Sequence, residues 1–92
     1  MKQTILQEAQ SVVYGDRQAD YGTVTENFTT IAQLWSAVLK TEVTPEQVGL
    51  CMVQLKIARQ MHKPKRDNLV DGAGYFATLE KFENEKIEKH KP

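Results

Sequence analysis

Apolar residues recur at helical intervals in four stretches of this chain, and no stretch alternates as a strand would. Ile5, Leu6, Ala9, Val12 and Val13 form one stripe over Thr4 to Tyr14, and Gly15-Asp16 closes it. Phe28, Ile31, Ala32, Trp35, Val38 and Leu39 form a second, predicting a helix to about Lys40 with Trp35 as its largest buried anchor. Thr23-Val24-Thr25-Glu26 fits a capping box at its start, with metal ligation as the other use of Glu26. Thr44-Pro45-Glu46-Gln47 is the strongest helix start in the chain: a threonine N-cap, proline at N1 and glutamine at N3. The third helix runs to about Met61. It is apolar over most of its circumference, which predicts a place in the middle of a bundle or against another subunit, with Cys51 filling core space. Pro64 turns the chain near 63–66. A last helix spans about Asn68 to Lys89. Its stripe of Leu69, Val70, Ala73, Phe76, Ala77, Leu79 and Phe82 gives way to a charged tail from about residue 83. The expectation is an all-α bundle of four helices in one domain, 1–92.

Composition adds limits. Ninety-two residues make a marginal core, so a homo-oligomer is expected. Twelve basic and twelve acidic residues cancel, which argues against a global field for nucleic acid or acidic membranes, and against sequence-specific nucleic-acid binding. A single cysteine forms no internal disulfide, and no segment reads as a signal peptide or a membrane span. A cytoplasmic location is the expectation.

The candidate chemistry concentrates in the joint between the last two helices. Lys56 and Arg59 share a helix face, as do Asp67 and Asp71. Antiparallel folding sets Arg59 level with Asn68 or Asp71, and Lys56 one turn deeper. Gly72 and Gly74 each cost a helix about 1 kcal/mol against alanine, which suggests a close approach by a helix or a ligand, or a turn at Asp71-Gly72. His62, Lys63, Lys65 and Arg66 make a basic turn, suited to the helix dipole or to a phosphate. Magnesium takes carboxylate oxygens and bridges them to phosphates, so Asp67 and Asp71 are the metal candidates, with Lys56 and Arg59 as phosphate contacts. The competing reading is a structural salt-bridge network with Asp67 as N-cap. The loop 15–23 adds Arg17, Asp20 and Tyr21 as binding candidates, against their use as ordinary turn and packing residues. No P-loop, dinucleotide fingerprint, zinc spacing or nucleophile–histidine pair is present.

The order Arg17-x-x-Asp20-Tyr21-Gly22, Asn27-Phe28, Leu34-Trp35-Ser36, Leu55-Lys56-x-x-Arg59, Asp67-Asn68-x-x-Asp71-x-x-Gly74-Tyr75 resembles a family of short phage and prophage proteins of unknown function. The likeness covers roughly Leu6 to Tyr75 and implies a continuous helix through Asp71. It adds Asn27, Asn68 and Tyr75 to the polar motif positions. More distantly the chain is similar to phage domains associated with nucleotide modification and to MazG-type all-α pyrophosphohydrolases. Those enzymes carry carboxylate pairs on two helices. A single Asp67-x-x-x-Asp71 pair implies a reduced or noncatalytic site.

Two functions follow as expectations. The first is a phosphorylated nucleotide-like ligand on Arg17, Lys56 and Arg59, with Tyr21 or Tyr75 stacking on a base and magnesium at Asp67 and Asp71, either hydrolysed or sequestered. The second is a noncatalytic protein-interaction module whose polar cluster is structural.

Overall fold

A computed structural model describes residues 2–15 and 24–89, with side chains over 2–15 and 26–85. The described residues form four helices and no strand: α1 (Ile5–Tyr14), α2 (Val24–Leu39), α3 (Pro45–His62) and α4 (Arg66–Lys89). None is long and apolar enough to cross a membrane.

The helix starts follow local chemistry. Thr44 Oγ1 accepts from the Gln47 amide at 3.2 Å while the Thr44 amide donates to Gln47 Oε1 at 2.9 Å, closing the predicted capping box. Thr4 and Gln7 make the same reciprocal pair at the head of α1. The expected box at Thr23–Glu26 includes residues outside the described set. Between α2 and α3 the chain turns through Lys40, which takes a left-handed φ of 56°. Ser36 then ties the connector down: its hydroxyl accepts from the Val43 amide at 2.8 Å and donates to the Ala32 carbonyl at 2.7 Å.

The central element is α4, which packs against α1, α2 and α3, whereas α1, among the described helices, packs on α4 alone. Val13 of α1 and Gly74 of α4 meet closely enough that a methyl group on Gly74 would sit 3.5 Å from Val13 Cγ2. At the other end, the Phe28 and Phe82 rings stack with centroids 6.1 Å apart, and Leu79 packs on them. Gly49 of α3 lies directly over this cluster; a Cβ there would meet Leu79 Cδ2 at 2.5 Å and Phe28 Cε2 at 3.1 Å. Gly72 and Gly74 thus face neighbouring helices at ordinary contact distance, and the tighter approach is at Gly49.

The expectations about burial meet different outcomes. The third helix, α3, buries Val48, Gly49 and Val53 but leaves Leu50, Ile57 and Met61 exposed, so of its two expected places, in the middle of the bundle or against another subunit, it does not take the first. Cys51 is exposed rather than a core filler. Trp35 is mostly but not fully buried, as expected, and the Phe28–Phe82 stack shares the anchoring role.

Candidate functional site

The joint between α3 and α4 is built by one buried side chain. Lys63 ends α3 with its amide donating to the Arg59 carbonyl at 2.9 Å, and Pro64 blocks further helix. Asn68, buried in the first turns of α4, then reaches back: its Nδ2 donates to Gln60 Oε1 at 3.1 Å and to the Lys63 carbonyl at 3.4 Å. Gln60 Oε1 also accepts from the Lys65 amide at 3.0 Å. Gln60 therefore clamps both sides of the turn. Its signal in the sequence was position alone: it lies four residues after Lys56, on the same face of α3.

The next rung of the seam is ionic. Lys56 Nζ lies 2.8 Å from Asp71 Oδ2, with the lysine side chain 14% exposed and the aspartate 41%. Gly72 sits beside Lys56, 4.0 Å from its Cβ measured from the position a Cβ would take. The helix is continuous through Asp71-Gly72, so no turn forms there. The partners across the seam are thus Gln60 with Asn68 and Lys56 with Asp71, and Arg59, one residue off that face, is exposed.

Beside this seam runs an open groove of about 630 Å³. Lys56, Arg59, His62 and Lys63 of the α3 side line it, with Lys65, Asp67, Asn68 and Asp71 opposite. Asp67 falls within the first turn of α4 rather than at its N-cap, because the helix begins at Arg66, two residues earlier than the sequence suggested. Arg59 and Asp67 make no ion pair among the described residues. Four permanent cations against two carboxylates leave the groove with a local excess of positive charge on a chain whose net charge is zero. Among the described residues no group of three or more His, Cys, Asp or Glu side chains is placed to hold a metal ion. Asp67 and Asp71 stand alone as carboxylates in the groove, and Asp71 already engages Lys56.

The other candidates fall elsewhere. Arg66 leaves the basic turn and commits to α1: its Nη2 meets Glu8 Oε2 at 2.9 Å and donates to the Gln3 carbonyl at 2.8 Å. Tyr75 lines a separate recess of about 160 Å³ with Val12, Val13, Gly74 and Thr78; Asp71 borders both spaces. Asn27 is half-buried near the start of α2 and does not line the groove. Arg17, Asp20 and Tyr21 lie outside the described residues.

The comparisons with known proteins agree with one another. The chain is 42% identical over 89 residues to the Gene 55 protein of Mycobacterium phage L5, covering 95% of this chain and 57% of that protein. It is 38% identical over 89 residues to the Gene 55 protein of Mycobacterium phage D29, covering 96% of this chain and 59% of that one. The chain thus spans little more than half the length of these curated relatives. No solved structure matches it significantly. Residues 4–83 match the family described as a domain of unknown function, DUF6378, and the chain belongs to that family, with relatives among phage proteins.

Proposed function

We propose that the chain binds a phosphorylated, nucleotide-like ligand in the groove beside the α3–α4 seam. The observation that carries this reading is the concentration of Lys56, Arg59, Lys63 and Lys65 around one groove of about 630 Å³. That volume falls in the range of small-molecule sites. Arg59 is free of ion pairs among the described residues, so its guanidinium is available for bidentate contact with phosphate. Asp71 holds the Lys56 amine at 2.8 Å and so positions it, while Asn68 and Gln60 keep the turn from opening. Asp67, free of ion pairs among the described residues, is suited to ribose hydroxyls or to a magnesium ion that arrives with the phosphates and keeps most of its waters. Metal-assisted hydrolysis would be the next step, and a single carboxylate pair favours binding without turnover.

The test is a thermal-shift panel of nucleoside mono- and triphosphates, deoxynucleotides and cyclic nucleotides, with and without magnesium. A ligand at a hundred times its Kd stabilises by about 2.7 kcal/mol, roughly a 10 °C shift or more for a domain of this size. Arg59→Ala should remove the shift without lowering the melting temperature of the free protein. A flat panel would refute the nucleotide reading. The second reading, a protein-interaction module with a structural polar cluster, draws on the Lys56–Asp71 pair itself. It predicts that Asp71→Asn changes stability alone.

A further inference from the structure

The recess that Tyr75 lines continues the groove along α4. Asp67, Asp71, Gly74, Tyr75 and Thr78 recur at helical intervals, so they form one stripe of that helix, about 16 Å long. The first half of the stripe is walled by α3, through Lys56 and Arg59, and the second by α1, through Val12 and Val13. Asp71 belongs to both halves, and its pair with Lys56 leaves the aspartate side chain 41% exposed. We infer that the recess holds the base of the ligand whose phosphates lie in the groove, and that it selects bases carrying an amino group. The inference rests on the phosphate reading of the groove and adds to it the chemistry of the rest of the ligand.

Size and lining carry this. The recess, about 160 Å³, is too small for a whole nucleotide, since sites for ligands of drug size run to roughly 300–1,000 Å³. It suits one flat ring system. Val13 and Val70 are buried and give it apolar walls, Gly74 brings bare backbone to it, and Tyr75 adds an aromatic ring on which a base can stack. The polar atoms are biased towards accepting. The buried Thr78 hydroxyl commits its one hydrogen to the Gly74 carbonyl at 2.8 Å, so its oxygen is left to accept. The Asp71 carboxylate also accepts, and the Lys56 contact to Oδ2 uses one of its roughly four lone-pair positions. A ring bearing an amino group, as in adenine and cytosine, offers hydrogens to these oxygens. A ring with a carbonyl in that place, as in thymine and uracil, sets lone pair against lone pair.

The experiment is titration calorimetry on the full chain. The probes are inorganic triphosphate and two pairs of nucleotides that differ at the amino position, CTP against UTP and ATP against inosine triphosphate. The amino member of each pair should bind about 10- to 100-fold tighter than the other, the weight of a hydrogen bond to a charged group. Triphosphate alone should bind more weakly than either amino nucleotide. Gly74→Ala places a methyl at the recess, an ordinary 3.5 Å from Val13 Cγ2, so the variant folds; it should bring CTP and ATP down towards the affinity of triphosphate. Asp71→Asn should level each pair, whereas Arg59→Ala should weaken every probe and keep the ratios. Pairs in which the amino member is not the tighter, or nucleotides bound no tighter than triphosphate, would overturn the inference and leave the phosphate groove standing. No binding of any probe, triphosphate included, would overturn the phosphate reading itself and the inference with it.

Discussion

Lys56 and Asp71 meet across the seam of α3 and α4, Nζ to Oδ2 at 2.8 Å, with the lysine side chain largely withdrawn from water and the aspartate partly open to it. Such a pair has limited energetic weight, because the exposed partner is screened by solvent. We expect a double-mutant cycle of Lys56→Met and Asp71→Asn to give a coupling of about 0.5–1 kcal/mol, measured by urea unfolding. A buried pair broken on one side would cost about 3–5 kcal/mol. The coupling should shrink at high salt, since the open side is screened.

Asn68 carries more of the joint than its ionic neighbour does. It is buried, and removing it takes one of two donors from Gln60 Oε1, which keeps the Lys65 amide, and the side-chain donor from the Lys63 carbonyl. Asn68→Ala should lower stability by about 1–3 kcal/mol. Gln60→Ala removes the same contact from the other side, so the double variant should lose less than the sum of the two. Equilibrium denaturation of the three variants decides this.

The helical glycines should divide by location. A Cβ on Gly72 or Gly74 finds ordinary contact distances, so alanine at either should raise stability by about 0.5–1 kcal/mol through helix propensity. Alanine at Gly49 meets Leu79 and Phe28 within the aromatic cluster and should cost about 1–3 kcal/mol. Melting temperatures moving in opposite directions would confirm the division; a loss at Gly72 would mean that its neighbours have no room to give.

Arg59 and Arg66 lie at the two sides of one turn but serve different partners. Arg66 joins α4 to Glu8 and the Gln3 carbonyl. Arg66→Ala should speed amide exchange in α1 with a global loss of at most about 1 kcal/mol, because the ion pair is exposed. It should leave any ligand-induced thermal shift intact. Arg59→Ala should do the reverse. Exchange mass spectrometry beside the ligand panel distinguishes the two roles.

Much of this protein was legible in residue order. Helical spacing, the Thr44-Pro45-Glu46-Gln47 start and Pro64 are local signals, and local backbone chemistry set the element boundaries to within two residues where the ends are described. The clustering of Lys56, Arg59, Asp67 and Asp71 followed from a short turn between antiparallel helices, because adjacent helices joined closely must bring their near ends together. What residue order left open were matters of register and of which face turns inward. Gln60 rather than Arg59 faces Asn68; Arg66 reaches α1; α4 rather than α3 is surrounded; and Gly49, not Gly72 or Gly74, is the crowded glycine. Each depends on the rotation of one helix against another. That rotation is chosen by the sum of many weak contacts around Phe28, Leu79, Phe82 and Val13, and no single stretch of sequence contains it.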